Sequence, residues 1–220
     1  MMKTHVHMAA CAAVVSIAPV AMAEFYSDPA GDQGPGNTNL DIIEINVSND
    51  ATDLMIDITT TSFEAWTKYL VFLDYMDGGI TGNSNGWFRN VDMGANAIDA
   101  FAGIWADGGG GSQTFTNDGS NWNETGGGSV SGISGNTVSL LFSMDALGIG
   151  VGDVIKFDIG TSGGENGDPA TDLVSIGSVS GNWGGGSVAG DLRSYTVVPA
   201  PGALALLGVA GGIAMRRRRA

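Results

Sequence analysis

Between Glu24 and Val198 the chain runs in short stretches that alternate apolar and polar residues, separated by clusters of Gly, Asn, Asp and Ser. A period of two puts alternate side chains on one face, so these stretches predict half-buried strands joined by turns. Ile43, Ile45 and Val47 share a face in the first stretch and Leu54, Ile56 and Ile58 in the second, with 48–53 as their hairpin turn. The run 69–74 is apolar at consecutive positions, which predicts a central strand buried on both faces. Further strands are predicted at 87–93, 98–105, 113–116, 129–133, 137–143, 154–161, 173–176 and 192–198. Roughly ten short strands at this spacing predict an all-β fold, an antiparallel sandwich of the jelly-roll kind. The one helical piece expected is 144–147, a single turn capped by the Ser143 hydroxyl.

Both ends break the pattern. Residues 1–23 carry Lys3, an apolar run over 8–21 and the small-residue sequence Ala21-Met22-Ala23, the layout of a secretory signal peptide with cleavage expected after Ala23. Lipidation of Cys11 is the competing reading, but only the apolar residues 8–10 precede it. Cleavage after Ala23 removes the single cysteine, so the mature chain relies on packing and metal rather than disulfides. At the other end, 197–220 holds Pro199 and Pro201, an apolar stretch over 203–215 and the cluster Arg216, Arg217, Arg218 and Arg219. That stretch approaches the roughly 20 residues a spanning helix needs. The arginines place the extreme C-terminus in the cytoplasm and the 24–196 domain outside.

The tail resembles the PEP-CTERM sorting segment of bacterial exported proteins: a proline motif, a short Leu/Ala/Gly-rich span and a terminal arginine cluster, in that order. The resemblance implies a membrane exosortase as processing partner, and release to the envelope or its exopolysaccharide. Here the motif reads Pro199-Ala200-Pro201, without the central glutamate of the family. A second resemblance rests on the run from Asp28 to Gly36 (DPAGDQGPG), followed by Leu40-Asp41-Ile42-Ile43, Leu54-Met55-Ile56-Asp57-Ile58 and Tyr69-Leu70-Val71-Phe72-Leu73-Asp74. Together with Trp87-Phe88-Arg89-Asn90 and Ile98-Asp99-Ala100-Phe101, it is similar to the DOMON-like sandwich domains related to type-nine carbohydrate-binding modules and to the C-terminal region of glucodextranases. This resemblance implies a jelly-roll-like sandwich, structural calcium and, in some members, sugar binding on aromatic rings.

Charge narrows the function further. All 23 acidic residues fall between Glu24 and Asp191, and only Lys68, Arg89, Lys156 and Arg193 oppose them over 24–198, a balance of −19 that repels nucleic acid. Both histidines, His5 and His7, lie in the signal, which removes Ser-His-Asp and Cys-His catalysis and the usual zinc ligands from the mature chain. A carboxylate pair of the glycosidase kind is the remaining catalytic option, and with this many acids it is unspecific. The reading is therefore a non-catalytic surface protein that binds polysaccharide with calcium as a stiffener. The alternatives are a carboxylate glycosidase and a purely structural matrix protein.

Calcium suits loops rich in carboxylate and carbonyl oxygens. Asp28 with Asp32 forms one candidate pair, Asp74 with Asp77 at a hairpin tip a second, and Glu165, Asp168 and Asp172 a third, weaker group. For each, solvated turn formation is the competing reading. Sugar stacking needs exposed aromatic faces with polar neighbours. Trp122 and Trp183 lie in Asn/Gly-rich loops, and Trp87 stands two residues from Arg89, whereas Trp105 reads as core. For any of these rings, packing is the competing role.

Overall fold

The computed structural model describes residues 23–179 and 183–200. Most of the signal peptide, together with Pro201 and Arg216 to Arg219 of the sorting segment, lies outside the described residues. Pro199 lies beyond the last strand, in a stretch without regular secondary structure. Among the described residues, no helix is long and apolar enough to cross a membrane.

In chain order the strands are β1 (Glu24–Ser27), β2 (Ile42–Asn49), β3 (Asp53–Thr60), β4 (Lys68–Asp74), β5 (Val91–Asp92), β6 (Ala100–Trp105) and β7 (Gly111–Asn117). They continue with β8 (Trp122–Glu124), β9 (Gly128–Ser134), β10 (Thr137–Ser143), β11 (Val154–Ser162), β12 (Ala170–Leu173), β13 (Ser187–Val188) and β14 (Arg193–Thr196). The only α-helix among the described residues, α1 (Met144–Leu147), is the predicted single turn, and the Ser143 hydroxyl accepts from the Ala146 N–H at 3.2 Å. One sheet runs β1-β2-β3-β10-β9 and the larger one β12-β11-β4-β6-β7-β8, with β14 also on β11. All of these pairings are antiparallel, and the short β5–β13 pair is parallel.

The two sheets face each other across a core in which Ile45, Val47, Leu54, Ile56, Ile58, Val138 and Leu140 meet Tyr69, Val71, Leu73, Ile104, Phe157 and Ile159. Each such side chain contributes roughly 1.5–3 kcal/mol on burial. As expected, β4 is buried on both faces. Its alternate residues Leu70 and Phe72 enter a second apolar cluster with Phe101, Leu173, Val91, Met93 and Ile98 on the outer face of the larger sheet. The loops that carry Val91, Met93 and Ile98 are held over the sheet by that cluster, and this is what positions Trp87 and Arg89.

Several sequence expectations are corrected. Ile43 does not share the inward face; a bulge between Ile42 and Glu44 turns Ile42 inward and leaves Ile43 half-buried. Of the expected strand 87–93, only Val91–Asp92 is strand, because 86–90 forms a turn around Asn85. The expected strand 173–176 lies earlier, at Ala170–Leu173. Three short strands, β1, β8 and β13, carry too few alternating residues to show a period.

Candidate metal centre and aromatic cleft

The loop after β1 crosses one end of the sandwich and is pinned on both sides. Asp28 N–H donates to the Ile43 carbonyl at 3.1 Å, Gly31 N–H to Asp41 Oδ1 at 2.8 Å, and Gly34 N–H to the Thr171 carbonyl at 2.9 Å. Asp172, on β12 of the other sheet, faces this loop. Its Oδ2 accepts from the Ile42 N–H at 2.7 Å and its Oδ1 from the Leu173 N–H at 2.8 Å. These bonds bring carboxylate oxygens of Asp28, Asp32 and Asp172 within 4.8 Å of one another.

Asp28 is 8% exposed and Asp172 fully buried. Both oxygens of Asp28, both of Asp32 and the Oε1 of neighbouring Gln33 are buried without a hydrogen-bond partner. Orphaned buried oxygens of this kind are costly unless something compensates them. Burial, reinforced by Asp172 and Asp32, pushes the Asp28 carboxyl up to about 8. Burial likewise raises Asp32. It lifts Asp172 to about 7, against the lowering effect of the Ile42 and Leu173 N–H groups. The donors are all hard oxygens, which suits calcium rather than zinc or copper. The residues fit such an ion: Asp28, Asp32 and Asp172 would hold it, and an ion there would join the loop of one sheet to the edge strand of the other.

The other acidic candidates are placed differently. Asp74 lies 3.3 Å from Lys156, and Asp77 is exposed at the tip beyond it. The chain after β4 is instead fastened by Asp99, whose Oδ2 accepts from the Tyr75 and Met76 N–H groups at 2.7 Å each. Glu165 and Asp168 stay together without Asp172. The Asp168 carboxylate accepts from the Glu165 N–H at 2.9 Å and lies 4.0 Å from Arg89.

No family model, curated protein or solved structure matches the chain.

On the outer face of the larger sheet, Trp87, Phe88, Trp105, Arg89, Lys68 and Gln113 line an open cleft of about 450 Å³. The Trp87 indole rests on Gly103, where an added Cβ would meet the ring at 2.2 Å, so only glycine permits this approach. Trp87 Nε1 donates to Gln113 Oε1 at 2.7 Å, and the Arg89 guanidinium lies 5.3 Å from the indole centroid. Burial lowers the Arg89 pKa from its ordinary value, and Asp168 opposes that shift. Arg89 is 4% exposed and donates to the Glu165 carbonyl, which closes the far wall.

Trp122 and Trp183 do not line this cleft. Trp122 donates to the Ser84 hydroxyl at 3.0 Å and packs on the second apolar cluster, while Trp183 lies 6.2 Å from Trp66. Phe88 escaped the sequence reading, since one aromatic beside a tryptophan carries no pattern. A second cleft, about 500 Å³, is lined by glycine and serine with Val130 and Ile133, and offers neither ring nor charge.

Proposed function

We propose that this chain is an exported, non-catalytic surface protein whose two sheets are clamped at one end by a calcium ion held by Asp28, Asp32 and Asp172. The carrying observation is the set of buried carboxylate oxygens of Asp28 and Asp32 that have no partner in the protein. The same burial favours a cation ligand over a glycosidase acid–base pair, because a substrate must reach both carboxylates. In this reading the sandwich is jelly-roll-like, as the DOMON-like resemblance implies. The −19 body faces outward. The tail spans the membrane until an exosortase-like enzyme transfers the protein to the envelope or its matrix.

Calorimetric titration of calcium into the full chain tests the clamp. About one ion per chain is expected, with binding lost in Asp32→Asn; heat that is unchanged in that variant refutes the assignment. Export has its own check. N-terminal sequencing of the protein recovered from the envelope or medium is expected to begin at Glu24, and a cytosolic chain that retains Met1 would contradict it.

A further inference from the structure

The smaller sheet ends on β9, which pairs with β10 on one side and with no strand among the described residues on the other. An edge strand offers a row of unpaired N–H and C=O groups to any strand that reaches it, and proteins guard such edges with brevity, charge or proline. The other edges of the two sheets are guarded in that way. β1, β8, β12 and β14 are three or four residues long, and each carries a charged residue: Glu24, Glu124, Asp172 and Arg193. β9 is seven residues long and has neither charge nor proline. Its bulge changes what the edge presents. Ser131 has no counterpart on β10, so Val130 lies opposite Leu140 and Ile133 opposite Val138. Residues directly opposite share a face, and Val138 and Leu140 are buried in the core. Ile133 therefore lies on the core side of the sheet, yet it is 43% exposed, and Val130 is only half-buried. The facing wall is made of glycines 109–111, which have no side chains, and Ser112, across the cleft of about 500 Å³. The sandwich is open along this seam.

We propose that β9 is the docking edge for a second copy of this chain, the two β9 strands pairing antiparallel about a two-fold axis. The two five-stranded sheets then continue into one of ten, and Val130 and Ile133 of both copies form a single apolar stripe across the seam. A two-fold contact joins the same patch on both copies, so that patch must tolerate itself. Charge decides where this is possible. Each body carries −19, so two copies repel unless the surfaces that meet are free of acid. Residues 125–144, which contain β9 and β10, form the longest run of the body without a charged residue, and 108–117, which include the facing wall, hold none either. Asp107, just before that wall, is bound by Lys68 at 2.9 Å. A cationic partner finds no free acid on this edge, whereas a second copy finds the one stretch that does not repel it. Seven paired residues make a smaller contact than a standard interface, so the dimer is weak in dilute solution. Copies displayed on one surface meet at a far higher local concentration. The contact uses no residue of the calcium clamp and stands without it.

Sedimentation velocity of the full chain from about 10 μM to about 1 mM tests the proposal, in a mild detergent that disperses the apolar 203–215 stretch. The weight-average mass is expected to climb towards two chains and stop there, and added NaCl should strengthen the dimer by screening the acidic bodies. Ile133→Lys should weaken the dimer about tenfold or more, because a charge enters the apolar stripe. That variant carries less negative charge, so electrostatics alone would favour its association; only loss of the β9 contact gives the opposite sign. At dilution its melting midpoint should stay near that of the wild type, since Ile133 is already partly exposed in the single chain. A second variant is independent of how the first folds. Residue 131 is the middle of β9, where a two-fold axis brings it close to its own copy, so Ser131→Cys in a Cys11→Ser background should give a disulfide-linked dimer in air, and Asn123→Cys on β8 should not. The proposal is overturned by a mass that stays at one chain or grows past two, or by a dimer that salt dissolves. It is equally overturned by an Ile133→Lys chain that associates like the wild type, or by a Ser131→Cys chain that does not link.

Discussion

Calcium at a hundredfold excess over its Kd is expected to raise the melting midpoint of the full chain by roughly 5–10 °C, and Asp28→Asn to abolish that rise. The magnitude follows from mass action. An ion bound only by the folded state at that excess adds about 2.7 kcal/mol, and about 2–4 °C accompanies each kcal/mol in a domain of this size. The more telling outcome is a reversal of order. After treatment with chelating resin, Asp28→Asn should melt a few degrees above the wild type, because it removes a buried carboxylate whose oxygens have no partner. In calcium the same variant should melt below the wild type, having lost a ligand. A residue that merely filled space would shift both midpoints in the same direction. Absence of any calcium effect on the wild type would remove the clamp from the description.

Without calcium, stability is expected to fall as pH rises from about 4 to about 8, the reverse of acid denaturation. Asp28 at about 8, Asp172 at about 7 and Asp158 at about 6 all lie above the unfolded aspartate value of about 3.9. Between those limits the folded chain binds more protons than the unfolded chain. The stability these groups contribute is therefore complete below about pH 4 and is lost as pH rises through each folded value. The slope approaches about 1.4 kcal/mol per pH unit for each group still protonated only when folded.

An ion in the proposed clamp would compete with those protons at Asp28 and Asp172, so added calcium is expected to flatten the dependence between about pH 6 and 8 and to bind more tightly towards the alkaline side. Asp158 keeps its share, because its oxygens are taken by the Ser175 hydroxyl at 2.6 Å and by the Ser175 and Ile159 N–H groups. Asp50 and Asp118 are held below the ordinary carboxylate value by backbone N–H groups and act outside this window. Denaturant midpoints at pH 5 and 8, with and without calcium, provide the measurement. A resin-treated chain that is more stable at pH 8 than at pH 5 would show that these carboxyls are not raised.

Local periodicity was a good guide wherever a strand buries one whole face. Leu54, Ile56 and Ile58 point inward as their spacing requires, and the unbroken apolar run of β4 does lie between two apolar clusters. It was a poor guide where one residue changes the count, as at the bulge that exchanges Ile43 for Ile42. It also failed where a side chain replaces the ladder, as Asn85 does under the turn expected as strand 87–93. The glycine cluster at 108–111 is the hairpin tip between β6 and β7, whereas 126–128 joins the larger sheet to the smaller one.

The amino-acid order alone determined the all-β class, the capped turn at Ser143, the excess of acid over base and the absence of histidine and cysteine from the body, because each depends on near neighbours or on a count. Asp28 and Asp32 stood out by their tight spacing within a glycine-rich loop. Only the tertiary structure brought Asp172 to them across 140 positions, through a Gly34 N–H donated to Thr171 and an Ile42 N–H donated to Asp172. It alone exposed Phe88 over a cleft. Those facts come from the docking of one sheet edge and one loop onto another, and the free energy that selects them lies in contacts between residues far apart in the chain, where no local pattern records it.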